Sequence, residues 1–398
     1  MNNYKDDFEM LNKSLIYFDN GATTFKPKSV VNAIVDYYTN YTANAHRGDY
    51  DISFIVDTKY ENTREKVRQF INADKSSEIV FTSGATQSLN MIVTGFFANY
   101  LQDGDEVLLT KAEHASNILP WFNIKKDINI KYIELDNEQV TLENVKKSIT
   151  KNTKVISIAQ VTNVIGDRRP IKEICKLAHE NNILVVVDAA QSIPHTKVDV
   201  KDLDCDFLAF SAHKMCGPTG IGILYGKFDL LKIMDPLMSG GGDNARFDMC
   251  GNVAFLAPPA KFEAGTLNLE GIYGLGACID YINSIGLDNI SSYEKELRKY
   301  AINKLKSLDN IIIYNETADA GIITINVKGV FPQDEASYLN SKGICVRSGE
   351  HCAKLLKDLL KTVGTIRISF YFYNTFDEID TLYEALKNGG DFLDAYFN

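Results

Sequence analysis

The stretch Phe207–Gly226 reads FLAFSAHKMCGPTGIGILYG. Two apolar runs, FLAF (207–210) and IGILYG (221–226), enclose a polar turn that ends in Gly-Pro-Thr-Gly. Unbroken apolar runs of this length read as strands buried on both faces. Outward from them the same pattern repeats. ILVVVD (183–188) lies upstream and is preceded by a helix opened by Pro170, with Ile171, Ile174, Leu177 and Ala178 on one face. Further strands are expected at EIVFT (78–82), DEVLLT (105–110), KYIEL (131–135) and KVISIAQ (154–160), and helices from Ala85 to about Leu101 and over 141–149. Alternating strands and helices predict an α/β protein with a mainly parallel sheet. Within the opening stretch Lys214 sits beside His213 and before the turn. An ammonium at such a place must be paired, neutral or covalently occupied.

The chain has 398 residues, which suits one large and one small unit. Apolar residues are 45% and charged residues 24%, the composition of an ordinary globular protein. With 42 Lys+Arg against 52 Asp+Glu the net charge is -10, which argues against nucleic acid and anionic membranes as partners. The start is polar and acidic, with no apolar signal core, so a cytoplasmic location is expected. The seven cysteines are scattered and contain no Cys-x-x-Cys, which speaks against a disulfide framework or a zinc site; no metal is expected. Around Gly286 the pattern changes to a charged amphipathic helix (291–308), followed by IIIY (311–314), GIITINV (321–327), a helix near 333–341 and GICVRSGEHCA (343–353). The expected division is an N-terminal segment and large domain over 1–285, and a small C-terminal α/β domain over 286–398.

In open α/β sheets ligands collect beyond the C-terminal strand ends, and four features fall there. In TSGATQSLN (82–90), Gly84 permits a tight turn, and Ala85 and Thr86 offer backbone N–H groups at a helix start, a phosphate cradle or an ordinary capped turn. Asp188 closes VVVD with Gln191 one turn on; it is a partner for a protonated pyridine nitrogen or a helix cap. His114, in KAEHASN (111–117), can stack on a ring and move protons, or be structural. Lys214 is a Schiff-base nucleophile or half of a buried ion pair. Together they make the parts list of a pyridoxal-phosphate site.

A fifth feature lies in VRSGEHCAKLL (346–356). Cys352 stands in a polar loop with His351 and Arg347; it is a nucleophile whose thiolate the nearby positive charge favours, or an idle surface thiol. Arg367, in TIRISFYFYN, offers a two-pronged clamp for a carboxylate, or a salt bridge on a strand.

With these motifs on hand, the chain resembles the cysteine desulfurases of the SufS type, in the class V aminotransferase group of fold-type I pyridoxal-phosphate enzymes. The likeness runs from YFDNGATTFKP (17–27) and NAHRGDY (44–50) through SGATQSLN, EHASNILPW, VTNVIG, DAAQ, FSAHKMCGPTGIGILYG, GGGD (240–243) and FEAGTLN (262–268) to VRSGEHCA and IRISFYFYNT. The resemblance implies a large domain with a mainly parallel seven-stranded sheet flanked by helices, a smaller C-terminal domain, and pyridoxal 5′-phosphate as cofactor. It implies that Lys214 forms the Schiff base, Asp188 pairs with the pyridine nitrogen, Gln191 bonds the ring hydroxyl and His114 stacks on the ring. Ala85, Thr86, Ser211 and His213 would hold the phosphate, and Thr266 the phosphate of the partner in a homodimer. Asn163 and Arg367 would bind the carboxylate of L-cysteine, Cys352 would take the sulfur, and Arg347 would support its loop. The sulfur would pass to a SufE- or SufU-like acceptor protein for iron–sulfur cluster assembly or tRNA thiolation. Three departures stand out: Glu350 where the family commonly has His, which places a negative charge near the thiol; Gly21 in a usual Ala-Ala start; and GGGDNARFD (240–248). Two rival readings are a selenocysteine lyase, desulfinase or transaminase on the same scaffold, for which Cys352 is optional, and a non-catalytic sulfur-transfer scaffold, against which the intact Lys214, Asp188 and His114 argue.

Overall fold

The computed structural model describes residues 4–45, 48–241 and 244–388. His46 and Arg47 of the second motif, and Gly242 and Asp243 of GGGD, lie outside the described residues. Seven strands, β1 (Ile79–Thr82), β2 (Glu106–Thr110), β3 (Asn129–Ile133), β4 (Thr153–Ala159), β5 (Leu184–Asp188), β6 (Phe207–Ser211) and β7 (Gly222–Gly226), form one sheet in the order β1-β7-β6-β5-β4-β2-β3. Only β7 runs against the rest.

The strands form where the sequence is apolar on both faces. Val185, Val186 and Val187 of β5 are all fully buried, and each contributes roughly 1.5–3 kcal/mol of transfer free energy. The helix Ile171–Glu180 follows Pro170 and buries Ile171, Ile174, Cys175 and Ala178. Cys175 replaces Leu177 at the centre of the expected face; Leu177 packs only at its edge. The register sets Ala159 of β4 beside Asp188 of β5, and Ser211 of β6 beside Gly222 of β7, which also faces Thr82 of β1. Four strand ends therefore meet at one edge.

A smaller layer holds β8 (Ile311–Ile313), β9 (Ile322–Val327), β10 (Arg347–Gly349) and β11 (Thr365–Ser369), antiparallel in the order β8-β9-β11-β10. Gly286, at φ +88°, separates the helices Leu269–Ile285 and Leu287–Leu305. The N-terminal segment crosses between the layers. Ile16–Tyr17 pairs in parallel with Ile344–Cys345, Asp19 bridges to Ser369, and Phe18 is buried among Leu297, Ile323, Ile368 and Phe370. A two-residue strand has no period to read, so the sequence hides this crossing.

Candidate active site

A cavity of about 180 Å³ opens at the edge where β1, β4, β5 and β6 end, closed from the other side by the smaller layer. Every residue to which the resemblance gives a cofactor, substrate or sulfur-transfer role lines it except Thr266, which is exposed on the loop after Phe262. Gly21, Ser116 and His351 also line it.

The large-sheet wall is built by close backbone approach. Gly84 adopts φ +154°, and Ala85 N–H donates to Ser211 Oγ at 2.8 Å. A Cβ on Gly222 would lie 2.4 Å from Gly84 Cα, so glycine there lets the cradle turn sit on β7. The hydroxyls of Thr86 and Ser116 are 2.8 Å apart. Asp188 is buried and accepts from Ala190 N–H at 2.9 Å; burial pushes its carboxyl up, against the pull of Lys214. Burial likewise pushes Lys214 down to about 8, with Asp188 opposing and Arg367 and Arg347 assisting. The turn that carries Lys214 is clamped by the N-terminal segment: Thr24 N–H donates to His213 O at 3.0 Å, and Cys216 N–H donates to Thr24 Oγ1 at 2.7 Å.

His114 accepts from Ser116 N–H through Nδ1 at 3.1 Å, so the neutral ring carries its proton on Nε2. Burial, then Lys214, Arg347 and Arg367, lower it to about 4; burial and Lys214 do the same to His213. Beneath His114 lies a network the sequence reading missed. Glu113 is fully buried, pairs with Arg169, and accepts from Thr110 Oγ1 (2.7 Å), Asn117 Nδ2 (2.8 Å) and Ala159 N–H (2.8 Å). It ties the histidine turn to the end of β4.

The opposite wall carries the thiol. Cys352 is exposed, while Cys175, Cys205, Cys216 and Cys278 are buried; Cys345 is half-buried and Cys250 is exposed elsewhere. His351 and Cys352 stand at φ +51° and +59°, left-handed values that non-glycine residues seldom take. The layer of the seven-stranded sheet holds both: Asn163 Nδ2 donates to His351 O, and Ala115 N–H donates to Cys352 O, each at 2.7 Å. The expectation that His351 adds positive charge beside the thiol is corrected. Its ring is buried, its Nε2 faces the Thr365 carbonyl at 3.0 Å, and burial with Arg367 pushes it down to about 3, so it is neutral. The positive charge comes from Arg347, whose Nη2 is 3.7 Å from Cys352 Sγ. Glu350 turns to Lys357 at 3.2 Å.

A family model described as aminotransferase class-V matches residues 16–382. The chain belongs to this family. It is 41% identical to a probable cysteine desulfurase of Halalkalibacterium halodurans, over 98% of this chain and 97% of the relative. It is 43% identical to a probable cysteine desulfurase of Ureaplasma parvum, over 97% of each. Among solved structures, the apo cysteine desulfurase of Thermococcus onnurineus superposes with a TM-score of 0.92 at 39% identity, covering 96% of both chains. The cysteine desulfurase CsdA of Escherichia coli does so with 0.92 at 32% identity, covering 98% of both. The fold is that of fold-type I pyridoxal-phosphate enzymes, and pyridoxal 5′-phosphate is the cofactor of class V enzymes.

The residues present fit that cofactor. Gln191 Oε1, Asn163 Oδ1, His351 Nδ1 and Arg367 Nε are buried polar atoms without a partner among the described residues, and all four residues line the cavity. Such atoms cost free energy unless a ligand satisfies them. Gln191 is oriented by its amide nitrogen on Gly21 O (2.7 Å), which leaves Oε1 to accept from a ring hydroxyl. Asp188 offers a carboxylate to a protonated ring nitrogen, and the first turn after Gly84 offers N–H groups to a phosphate. The class V site thus has an anion end, a cation-seeking carboxylate and a lysine in one cavity. The reading also missed Asp19, whose carboxylate meets Arg367 Nη2 at 2.8 Å; no local pattern joins residues so far apart in sequence.

Proposed function

We propose that this cavity converts L-cysteine to L-alanine and leaves a persulfide on Cys352. Cysteine desulfurase is the activity the chain shares with its relatives. The observation that carries the residue assignment is the exposed Cys352 thiol on the rim of the cavity that holds Lys214 and Asp188, with Arg347 at 3.7 Å as its positive neighbour. Lys214 holds the cofactor, Asp188 its ring nitrogen, Gln191 its hydroxyl and His114 its ring face. Ala85, Thr86, Ser211 and His213 hold the phosphate. When bound, pyridoxal 5′-phosphate supplies an electron sink for the carbon that bears the substrate's amino group.

The side chains do the rest. Asn163 and Arg367 seat the carboxylate. Lys214, whose amine is neutral in part near pH 8, takes the α-proton. Cys352 Sγ attacks the substrate sulfur. An S–S bond forms and the Cβ–S bond breaks; its electron pair stays on carbon, which takes up a proton. One thiol and one cysteine thus give one persulfide and one alanine. The exposed position of Cys352 lets the persulfide pass to an acceptor protein of the SufE or SufU kind for iron–sulfur cluster assembly. Thr266 reaches the phosphate of a partner in a homodimer, which its exposure outside its own cavity supports. The chain divides near Gly286 and works in the cytoplasm; among the described residues no helix is long and apolar enough to cross a membrane.

The test is to incubate the holoenzyme with L-cysteine and a thiol reductant and measure alanine and sulfide together. Equal amounts are expected. Turnover of cysteine sulfinate or selenocysteine, with none of L-cysteine, would overturn the reading.

A further inference from the structure

Arg367 is 1% exposed, and its guanidinium is already engaged on two sides. Nη1 donates to Asn163 O at 3.0 Å and Nη2 to Asp19 Oδ1 at 2.8 Å, while Nε is buried without a partner. Burial acts against its charge, Asp19 supports it, and Arg347 adds repulsion. The backbone after Asp19 lies against the guanidinium, since a Cβ on Gly21 would stand 3.1 Å from Arg367 Cζ. Asp19 itself is fixed by its bridge to Ser369, and its carbonyl accepts from Ala22 N–H at 3.0 Å. It is not among the residues that line the cavity. Its carboxylate therefore reaches the guanidinium from outside the space a substrate would fill.

We propose that Asp19 is a positioning residue that sets the affinity for the substrate's carboxylate: an internal carboxylate that neutralises Arg367 in the empty cavity and competes with the one that arrives. The inference rests on the reading that Arg367 receives that carboxylate. A buried guanidinium without a counter-ion is costly, so the empty site needs Asp19. A bidentate carboxylate takes two of the five guanidinium N–H donors, and Asp19 already holds Nη2. Two carboxylates on one cation each weaken the other's gain. The arrangement keeps recognition of the carboxylate moderate, so that the product amino acid leaves. The guanidinium keeps its place without Asp19, because Asn163 O holds the other prong.

The test uses the holoenzyme and reads ligand binding from the change in cofactor absorbance, with L-alanine and L-alaninamide as probes. Asp19→Asn should bind L-alanine about tenfold more tightly, the scale of one removed like charge at short range, and L-alaninamide as the wild type does. Asp19→Glu, which keeps the charge, should keep the wild-type ratio of the two. If Asp19→Asn does not fold, Asp19→Ser is the neutral variant. L-alanine binding that is unchanged or weaker in the neutral variant, or an equal shift for both ligands, overturns the proposal. Arg367→Ala separates the two possible failures. If it still prefers L-alanine over the amide, the assignment of Arg367 is wrong and the role of Asp19 falls with it. If it loses the preference while Asp19→Asn gains no affinity, only the role of Asp19 falls.

Discussion

The two walls of the cavity are built differently. On the lysine side, side chains stand at the ends of buried strands, and the backbone of Gly84 approaches Gly222 so closely that no Cβ fits on Gly222. On the cysteine side, an exposed thiol sits on two consecutive left-handed residues, held by a hydrogen bond to each of two carbonyls. On the proposed reading the first wall holds a cofactor in one geometry, and the second offers a nucleophile both to the cavity and to the outside. The contrast teaches that chemistry is placed on the rigid sheet while delivery is placed on a loop tethered to it.

The comparison breaks most severely at Lys214. Lys214→Ala should lose the borohydride-reducible link to the cofactor, and turnover should fall by about 10³-fold or more; a trapped cofactor mapped by mass spectrometry to another lysine would refute the assignment. Asp188→Ala should lower turnover by roughly 10²- to 10³-fold, and Asp188→Glu by much less, because the longer residue keeps the charge for the ring nitrogen; equal losses would mark Asp188 as a cap. A gentler probe is pH. Burial lowers Lys214 to about 8, so the amine is protonated below that pH and free above it. The rate at which cofactor-free protein takes up pyridoxal 5′-phosphate should rise about tenfold per pH unit below 8 and level off above. The smallest effect belongs to the delivery wall. Glu350 is spent on Lys357 at a partly exposed site, so Glu350→Gln should change turnover less than about twofold.

The lysine wall was readable because it obeys local rules. Apolar runs marked β5, β6 and β7, and the residues at their ends, Asp188, Ser211 and Gly222, marked the site. The cysteine wall was readable only in part. RSGEHCA drew notice as a polar loop, but that His351 is neutral follows from burial and from Arg367, neither of which has a signal in the loop itself. Asp19, Thr24, Glu113 and Arg169 act across long sequence separations, through contacts that no period encodes. The crossing of Ile16–Tyr17 to the smaller layer was hidden for the same reason.

The central claim is that the two walls meet in one reaction, with Cys352 as the group that takes the sulfur. A single-turnover experiment with Cys352→Ser tests it most directly, because the hydroxyl keeps the size but is a far weaker nucleophile without a dedicated base. The account predicts that the variant retains pyridoxal 5′-phosphate and still changes the cofactor's absorbance on addition of L-cysteine, yet forms almost no alanine and carries no persulfide by intact-mass measurement. Alanine formed from L-cysteine at the wild-type rate would contradict it.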